Sequence, residues 1–278
     1  MTNVAQVPRA RVNKEDLFAY KVAQWSSFWR KHGYPDVPDL HGKRVLDMGC
    51  GRGAYCMAAL QSGARVVGLD AWAQFKDLHR DLMARAPDDT LEFRYGLMET
   101  FTDSERFDII ITHETFEHVM DLPAALKHIA DVLKPEGTVL ASWGPIWSSP
   151  LGGHVLVHAL QATKEHPWRP RICIDRRTDR TAYHVRIPWS HRLFTGAALR
   201  AWERQHPGHG ASIQTVRMNG LTYRDYERII AQSPLKVTRW RTNVGTNPAY
   251  RLLRLCARLP GGANLFTQNV YATLVHRG

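Results

Sequence analysis

The sequence predicts an α/β fold: a mostly parallel sheet of seven strands, covered by helices on both faces and interrupted by an inserted segment. Three observations carry this reading. Short apolar runs alternate with helical patterns from Lys43 onward, the first run ends in a glycine-rich turn, and the alternation stops at 146 and resumes at 235. Strand and helix periods alternate in this way in parallel sheets, because each parallel crossover needs a connecting helix that covers the sheet.

Taken in order, Leu17, Tyr20, Trp25, Phe28 and Trp29 recur at approximately helical spacing among charges. Gly33-Tyr-Pro ends that pattern, so residues 14–32 predict an N-terminal helix. The apolar runs Arg44–Met48, Arg65–Leu69, Leu91–Tyr95, Phe107–Ile111 and Thr138–Trp143 predict five strands, with helical patterns at 53–62, 73–85 and 122–133 between them. Residues 146–233 are rich in Arg, His, Pro and Trp, with a turn-like Pro207-Gly-His-Gly210 and a helical stretch at Tyr223–Ala231. Leu235–Arg241 and Asn269–His276 supply two further strands, and 249–258 between them reads as a basic amphipathic helix ended by Pro260-Gly-Gly. The expected organisation is a single domain with an N-terminal helical lid over 1–39, a core over 40–145 and 234–278, and a substrate-binding cap over 146–233.

Composition narrows the class. With 278 residues and 44% apolar content the chain can bury an ordinary core. No apolar stretch reaches the ~18 residues of a membrane span, and the N-terminal residues lack the apolar core of a secretory signal, so a cytoplasmic location and no membrane partner are expected. Cys50, Cys56, Cys173 and Cys256 show neither CxxC pairing nor framework spacing and read as free thiols. The net charge of +11 raises nucleic acid, a membrane surface or a small anionic substrate as partners. Seven arginines against three acids lie between Lys164 and Arg192, interleaved with Trp168, Tyr183 and Trp189.

In Val45-Leu-Asp-Met-Gly-Cys-Gly-Arg-Gly53 three glycines occupy the turn from first strand to first core helix, where missing side chains let backbone amides approach a ligand. Asp47 lies at the strand end. The second strand closes on Asp70, placed to accept hydrogen bonds from a ribose diol. A dinucleotide fold would show GxGxxG, whereas here the glycines fall as GxGxG after an acid. Together with Leu133-Lys-Pro-Glu-Gly137, this arrangement resembles the class I S-adenosylmethionine-dependent methyltransferases over residues 40–145. The resemblance implies a Rossmann-like seven-stranded methyltransferase fold with an inserted cap and a reversed last strand. It also implies S-adenosyl-L-methionine as cofactor, bound by Asp47, Gly49, Gly51, Asp70, Ala71, Leu97, Met98 and Thr112. Many members carry Gly-Asp-Ala after the third strand, and this chain reads Gly96-Leu-Met-Glu99 instead.

Thr112-His-Glu-Thr-Phe-Glu-His118 follows the fourth strand, where open parallel sheets place the reacting end of a ligand. His113 is the first candidate base. If the chain turns helical there, Glu114, Glu117 and His118 share one face. The E-x-x-E-H pattern resembles the metal element of small-RNA 2′-O-methyltransferases and ubiquinone-pathway O-methyltransferases. That resemblance implies a divalent ion on Glu114, Glu117, His118 and a downstream histidine, and a hard-oxygen pair with imidazole suits Mg²⁺, Mn²⁺ or Fe²⁺. His191, in Trp189-Ser-His-Arg-Leu-Phe, is the first choice, and His154 is either the second or a general base. The alternative is a metal-free packing element, with the glutamate hydrogen-bonded locally and the imidazole under the next helix. The expected reaction is methyl transfer to oxygen on a small carboxylate- or phosphate-bearing acceptor. Nitrogen or carbon acceptors, or RNA, are the alternatives, and a non-catalytic cofactor-binding protein ranks last.

Overall fold

In a computed structural model the described residues are 22–152, 158–162, 183–186, 188–193 and 218–278. The N-terminal helix α1 (Trp25–Lys31) precedes β1 (Arg44–Met48), α2 (Ala54–Gln61) and β2 (Arg65–Asp70). Then come α3 (Lys76–Met83), β3 (Leu91–Tyr95), β4 (Phe107–His113), α4 (Leu122–Val132) and β5 (Leu133–Trp143). Two short strands, β6 (His158–Ala162) and β7 (Tyr183–Arg186), pair antiparallel apart from the main sheet. A helical turn, Ser190–Leu193, is followed by α5 (Tyr223–Gln232), β8 (Leu235–Thr242), α6 (Ala249–Ala257), α7 (Gly262–Phe266) and β9 (Val270–His276).

The main sheet has seven strands in the order β3-β2-β1-β4-β5-β9-β8. The first five pair in parallel, and β9 runs antiparallel to both β5 and β8. Every residue of β1 is buried, which is why the interior strands read as unbroken apolar runs. One face carries a core of Leu46, Ile110, Leu126, Ile129 and Trp143 under α4 and α5. The other packs Trp25, Phe28, Trp29 and Tyr55 over Val45, Ile111 and Leu140.

Local signals fix the ends of the helices. Asp121 caps α4 by accepting from the Ala124 N–H at 3.1 Å, with Pro123 in the first turn. Thr222 and Asp225 form a reciprocal capping box at α5. One boundary differs from the sequence reading. Strand β5 begins at Leu133, paired with Phe107, and a register shift between Phe107 and Ile109 absorbs Pro135, so the KPEG residues form an irregularity inside the strand. Helix α5 falls within the expected cap, and its Tyr226 and Ile230 are buried in the sheet core. No helix among the described residues is long and apolar enough to cross a membrane.

Helix α1 crosses its sheet face from α2 to the β8 edge. Trp25 and Phe28 meet Tyr55 at ring separations of 5.7 and 5.1 Å. At its C-terminus the carbonyls of Arg30 and Lys31 accept from Arg241, and that of His32 from Arg239. Cationic side chains thus satisfy helix-end acceptors at the negative end of the dipole.

Candidate active site

The glycine loop leaves β1 with Gly49, Gly51 and Gly53 all in the left-handed region, at φ 81°, 54° and 80°. A methyl at Gly49 would sit 2.3 Å from Thr115 Oγ1, while one at Gly51 would meet nothing within 4 Å. The loop is therefore packed on one side against the turn after β4 and open on the other. Its open side lines a cavity of 310 Å³ with Asp47, Tyr55, Phe75, His113 and Glu114.

Asp70 closes β2, as expected. Its Oδ2 accepts from the Gly51 N–H at 2.7 Å and its Oδ1 from the Trp72 N–H at 2.8 Å, so the carboxylate is aimed by backbone donors. Asp47 is buried at the end of β1, with its Oδ2 accepting from the Cys56 thiol at 3.4 Å. Beneath the loop lies His79, which the sequence reading missed. Its ring stacks on Phe93 at 3.8 Å, and its nitrogens reach the Gly51 carbonyl and the Tyr95 hydroxyl, each at 2.8 Å. Burial lowers its pKa, so the ring is neutral: Nε2–H donates to Gly51 and Nδ1 accepts from Tyr95. His79 sits on the apolar face of an ordinary amphipathic helix, and no local signal marks it.

His113 ends β4. Its Nδ1 is 2.5 Å from Ser142 Oγ, its cross-strand partner on β5, and its Nε2 is 3.9 Å from Glu114 Oε1. Tyr55 and Phe28 approach its ring edge-on at 5.1 and 5.7 Å. A second cavity of 180 Å³ lies beyond it, lined by Gly144, Leu151, Tyr250, Gln268 and Tyr271. His113 and Glu114 line both cavities. Tyr271 arrives there through the antiparallel β5–β9 register, opposite Ser142, a juxtaposition invisible along the chain.

Other expected site residues fall elsewhere. Thr112 is fully buried, because successive residues of a strand face opposite sides and His113 takes the cavity side. Met98 belongs to the hydrophobic core, while Leu97 and Ala71 are exposed. His154 lies outside the described residues.

The expected metal quartet is not assembled. Glu114 has a positive φ of 54°, and only Phe116–His118 forms a short 3-10 turn, so the shared helical face does not exist. The Glu114 side chain is 60% exposed at the cavities, whereas Glu117 is 1% exposed with Oε1 accepting from the Gly144 N–H at 3.1 Å. Burial pushes the Glu117 carboxyl up to about 8, and the charge of Glu114 adds to this against the pull of the Gly144 N–H. His118 is half-buried. His191 Nε2–H donates to the Trp147 carbonyl at 2.6 Å, and burial lowers its pKa. Beside it Trp189 donates to the Ser148 carbonyl at 3.0 Å, so the Trp-Ser-His segment pins the loop after β5. Among the described residues no three His, Cys, Asp or Glu side chains converge as a metal site. The segment after β4 is instead a structural knot: Asn219 donates through Nδ2 to the carbonyls of Phe116 and Val119 and accepts from Tyr226 OH.

The strand order with its reversed β9 is that of the Rossmann-like methyltransferase fold, and a glycine-lined cavity lies at the carboxyl ends of β1 and β4. Residues 46–141 match the family model described as a methyltransferase domain. A ubiquinone biosynthesis O-methyltransferase from Rhodopseudomonas palustris is 38% identical over 106 residues, covering 37% of this chain and 40% of that relative. The match thus spans about two fifths of the relative's length. An S-adenosylmethionine-dependent methyltransferase from Mesorhizobium loti superposes with a TM-score of 0.53 at 18% identity, over 92% of this chain and 98% of that one. Geranyl diphosphate C-methyltransferase from Streptomyces coelicolor, in complex with Mg²⁺, geranyl diphosphate and S-adenosyl-L-homocysteine, gives 0.53 at 18% identity, over 95% of this chain and 83% of that one. These two structures bear on the fold.

Proposed function

We propose that this protein transfers the methyl group of S-adenosylmethionine to a small-molecule acceptor, with oxygen as the favoured acceptor atom. The observation that carries this is the meeting of two cavities at His113: one walled by the glycine loop, the other by β5, β9 and α6. The residues fit the cofactor. Gly51 leaves open space where any side chain would project, and Asp70 is oriented by two backbone donors, with lone pairs remaining for a diol. When bound, the cofactor supplies a sulfonium methyl, and displacement from it depends mainly on alignment. The relative's name favours oxygen as acceptor.

The protein's own part is to hold the acceptor and take its proton. In the tautomer whose Nδ1–H donates to Ser142 Oγ, His113 would take the proton of an acceptor hydroxyl at Nε2, and Glu114, 3.9 Å away, would stabilise the imidazolium that forms. Among its described residues the second cavity has one carboxylate, Glu114, and no Lys or Arg. An acidic group on the acceptor would therefore be met by the arginines of 164–192, most of which lie outside the described residues. Glu114, Glu117, His118 and His191 do not fit a shared cation, since Glu117 is buried on the Gly144 N–H and His191 is held by the Trp147 carbonyl.

The test combines calorimetry with S-adenosylhomocysteine and labelled-methyl transfer to phenolic acids, phosphorylated metabolites, amines and short RNAs. The wild type binds the product and labels a hydroxylated small molecule. His113→Gln keeps that affinity and loses about 10²–10⁴-fold in turnover, the range of a general base. Absence of product binding by the folded wild type, or exclusive labelling of RNA, overturns the proposal.

A further inference from the structure

We propose that α6 docks this protein on an anionic phospholipid surface. The helix, Ala-Tyr-Arg-Leu-Leu-Arg-Leu-Cys-Ala, has no buried residue. Leu252, Leu255 and Leu259 are 63%, 60% and 60% exposed. At spacings of three and four they form one stripe along the helix and the turn that follows it. Arg251, Arg254 and Arg258 repeat the same spacing one position earlier, so a cationic stripe runs beside the apolar one; all three are exposed, and Arg254 also donates to the Asn243 carbonyl at 2.7 Å. This is the arrangement of interfacial helices: leucines enter the acyl boundary while arginine stems lie along it and their heads stay among the phosphates.

Charge selects the occupant. Residues 228–278 contain eight Lys or Arg and no Asp or Glu. With no acid in that stretch to neutralise them, the exposed arginines of α6 and the turn after it repel a second copy of the helix and attract an anionic layer. RNA would satisfy the arginines but leave three adjacent leucines in water, whereas a lipid surface satisfies both stripes. The helix is too short to span a bilayer, so this is surface attachment, and it revises the expectation of no membrane partner. The first turn of α6 also places Tyr250 in the wall of the second cavity, so a docked helix holds that cavity beside the lipid surface. Docking itself does not depend on the methyl-transfer reading.

The experiment is co-sedimentation of the full chain with phosphatidylcholine vesicles, with and without phosphatidylglycerol, at low and high salt. Thermal midpoint and S-adenosylhomocysteine affinity are monitored in parallel as checks on folding. The wild type should sediment only with the anionic vesicles and be released as salt rises. Leu252→Gln/Leu255→Gln/Leu259→Gln should weaken partitioning at least about tenfold with an unchanged thermal midpoint. Arg251→Gln/Arg258→Gln should weaken it roughly 25-fold at low salt and flatten the salt dependence, since each arginine near such a surface contributes about fivefold. Failure of the wild type to bind anionic vesicles overturns the proposal, as does equal binding by the leucine variant. So does a wild-type dimer that the leucine variant converts to monomer without any vesicle binding.

Discussion

At the end of β4 the backbone turns left-handed at Glu114, and the neighbouring carboxylates part: Glu114 faces the cavities and Glu117 enters the core. A carboxyl pushed up to about 8 is a neutral acid at pH 7. Its folded-state pKa lies above the unfolded value near 4.3, so it does not oppose folding below that value. Between about pH 4 and 8 the unfolded chain ionises while the folded one stays protonated, and stability falls as pH rises. Glu117→Gln copies the neutral acid, its oxygen still accepting from Gly144. Urea unfolding should show it more stable than wild type at pH 8, by up to about 4–5 kcal/mol, and nearly equal at pH 4. Methyl transfer by this variant should persist, whereas loss of turnover with intact folding would return Glu117 to the chemistry. His113 was legible in the sequence because the carboxyl-end rule places the residues that close the fourth strand at the site, but that rule did not separate it from Thr112, which strand alternation turns into the core. The Glu114–Glu117–His118 face was not legible, because its spacing argument assumed a right-handed helix that the backbone at Glu114 does not enter.

Among the elements, the glycine loop makes a sharper prediction than the loss of any one contact. Gly49→Ala drives a methyl into Thr115 at a positive φ, so it should destabilise the turn after β4 as well as the loop, by about 2 kcal/mol or more. Gly51→Ala has the strain but no clash, and its methyl projects into the cavity. It should cost only about 1 kcal/mol in stability yet weaken S-adenosylhomocysteine binding at least about tenfold, measured by thermal unfolding and calorimetry together. Equal effects of the two substitutions on both quantities would contradict this division. The strands themselves were readable because β1 is buried throughout and β4 mostly so, leaving apolar runs bounded by turn residues. The start of β5 was not, since Pro135 reads as a break and only pairing across the sheet shows the strand passing through it.

At the scale of the molecule, a charged network ties the first strand to β3 and to the segment that joins β3 to β4. Arg44 is buried over the Phe107 ring at 4.0 Å and reaches Asp103, Glu105 and the Glu105 carbonyl, while Arg94 of β3 reaches Asp103 at 2.6 Å. Burial alone would raise the Asp103 carboxyl, but the Glu105 N–H and the two guanidinium groups outweigh it and hold it below its ordinary value. A depressed carboxylate contributes stability that is present above its unfolded pKa near 4 and lost as pH falls through its folded one. Asp103→Asn should therefore cost about 1.5–3 kcal/mol at pH 7 by weakening the charged acceptor that Arg44 and Arg94 share, while Arg44 keeps Glu105, with the gap to wild type narrowing below pH 4 in denaturant titrations.

The pinning of α1 by Arg239 and Arg241 also sets an order of assembly. Residues 30–32 wait for partners about 210 positions later, so this contact closes one of the longest loops the chain can make. During synthesis the strands β1 to β5 emerge first, while the aromatic face of α1 has no edge strand to hold its far end until β8 leaves the ribosome. Phe28 beside His113 is thus secured among the last, and nascent chains released before 241 would carry the glycine loop beneath a roof fastened at one end only.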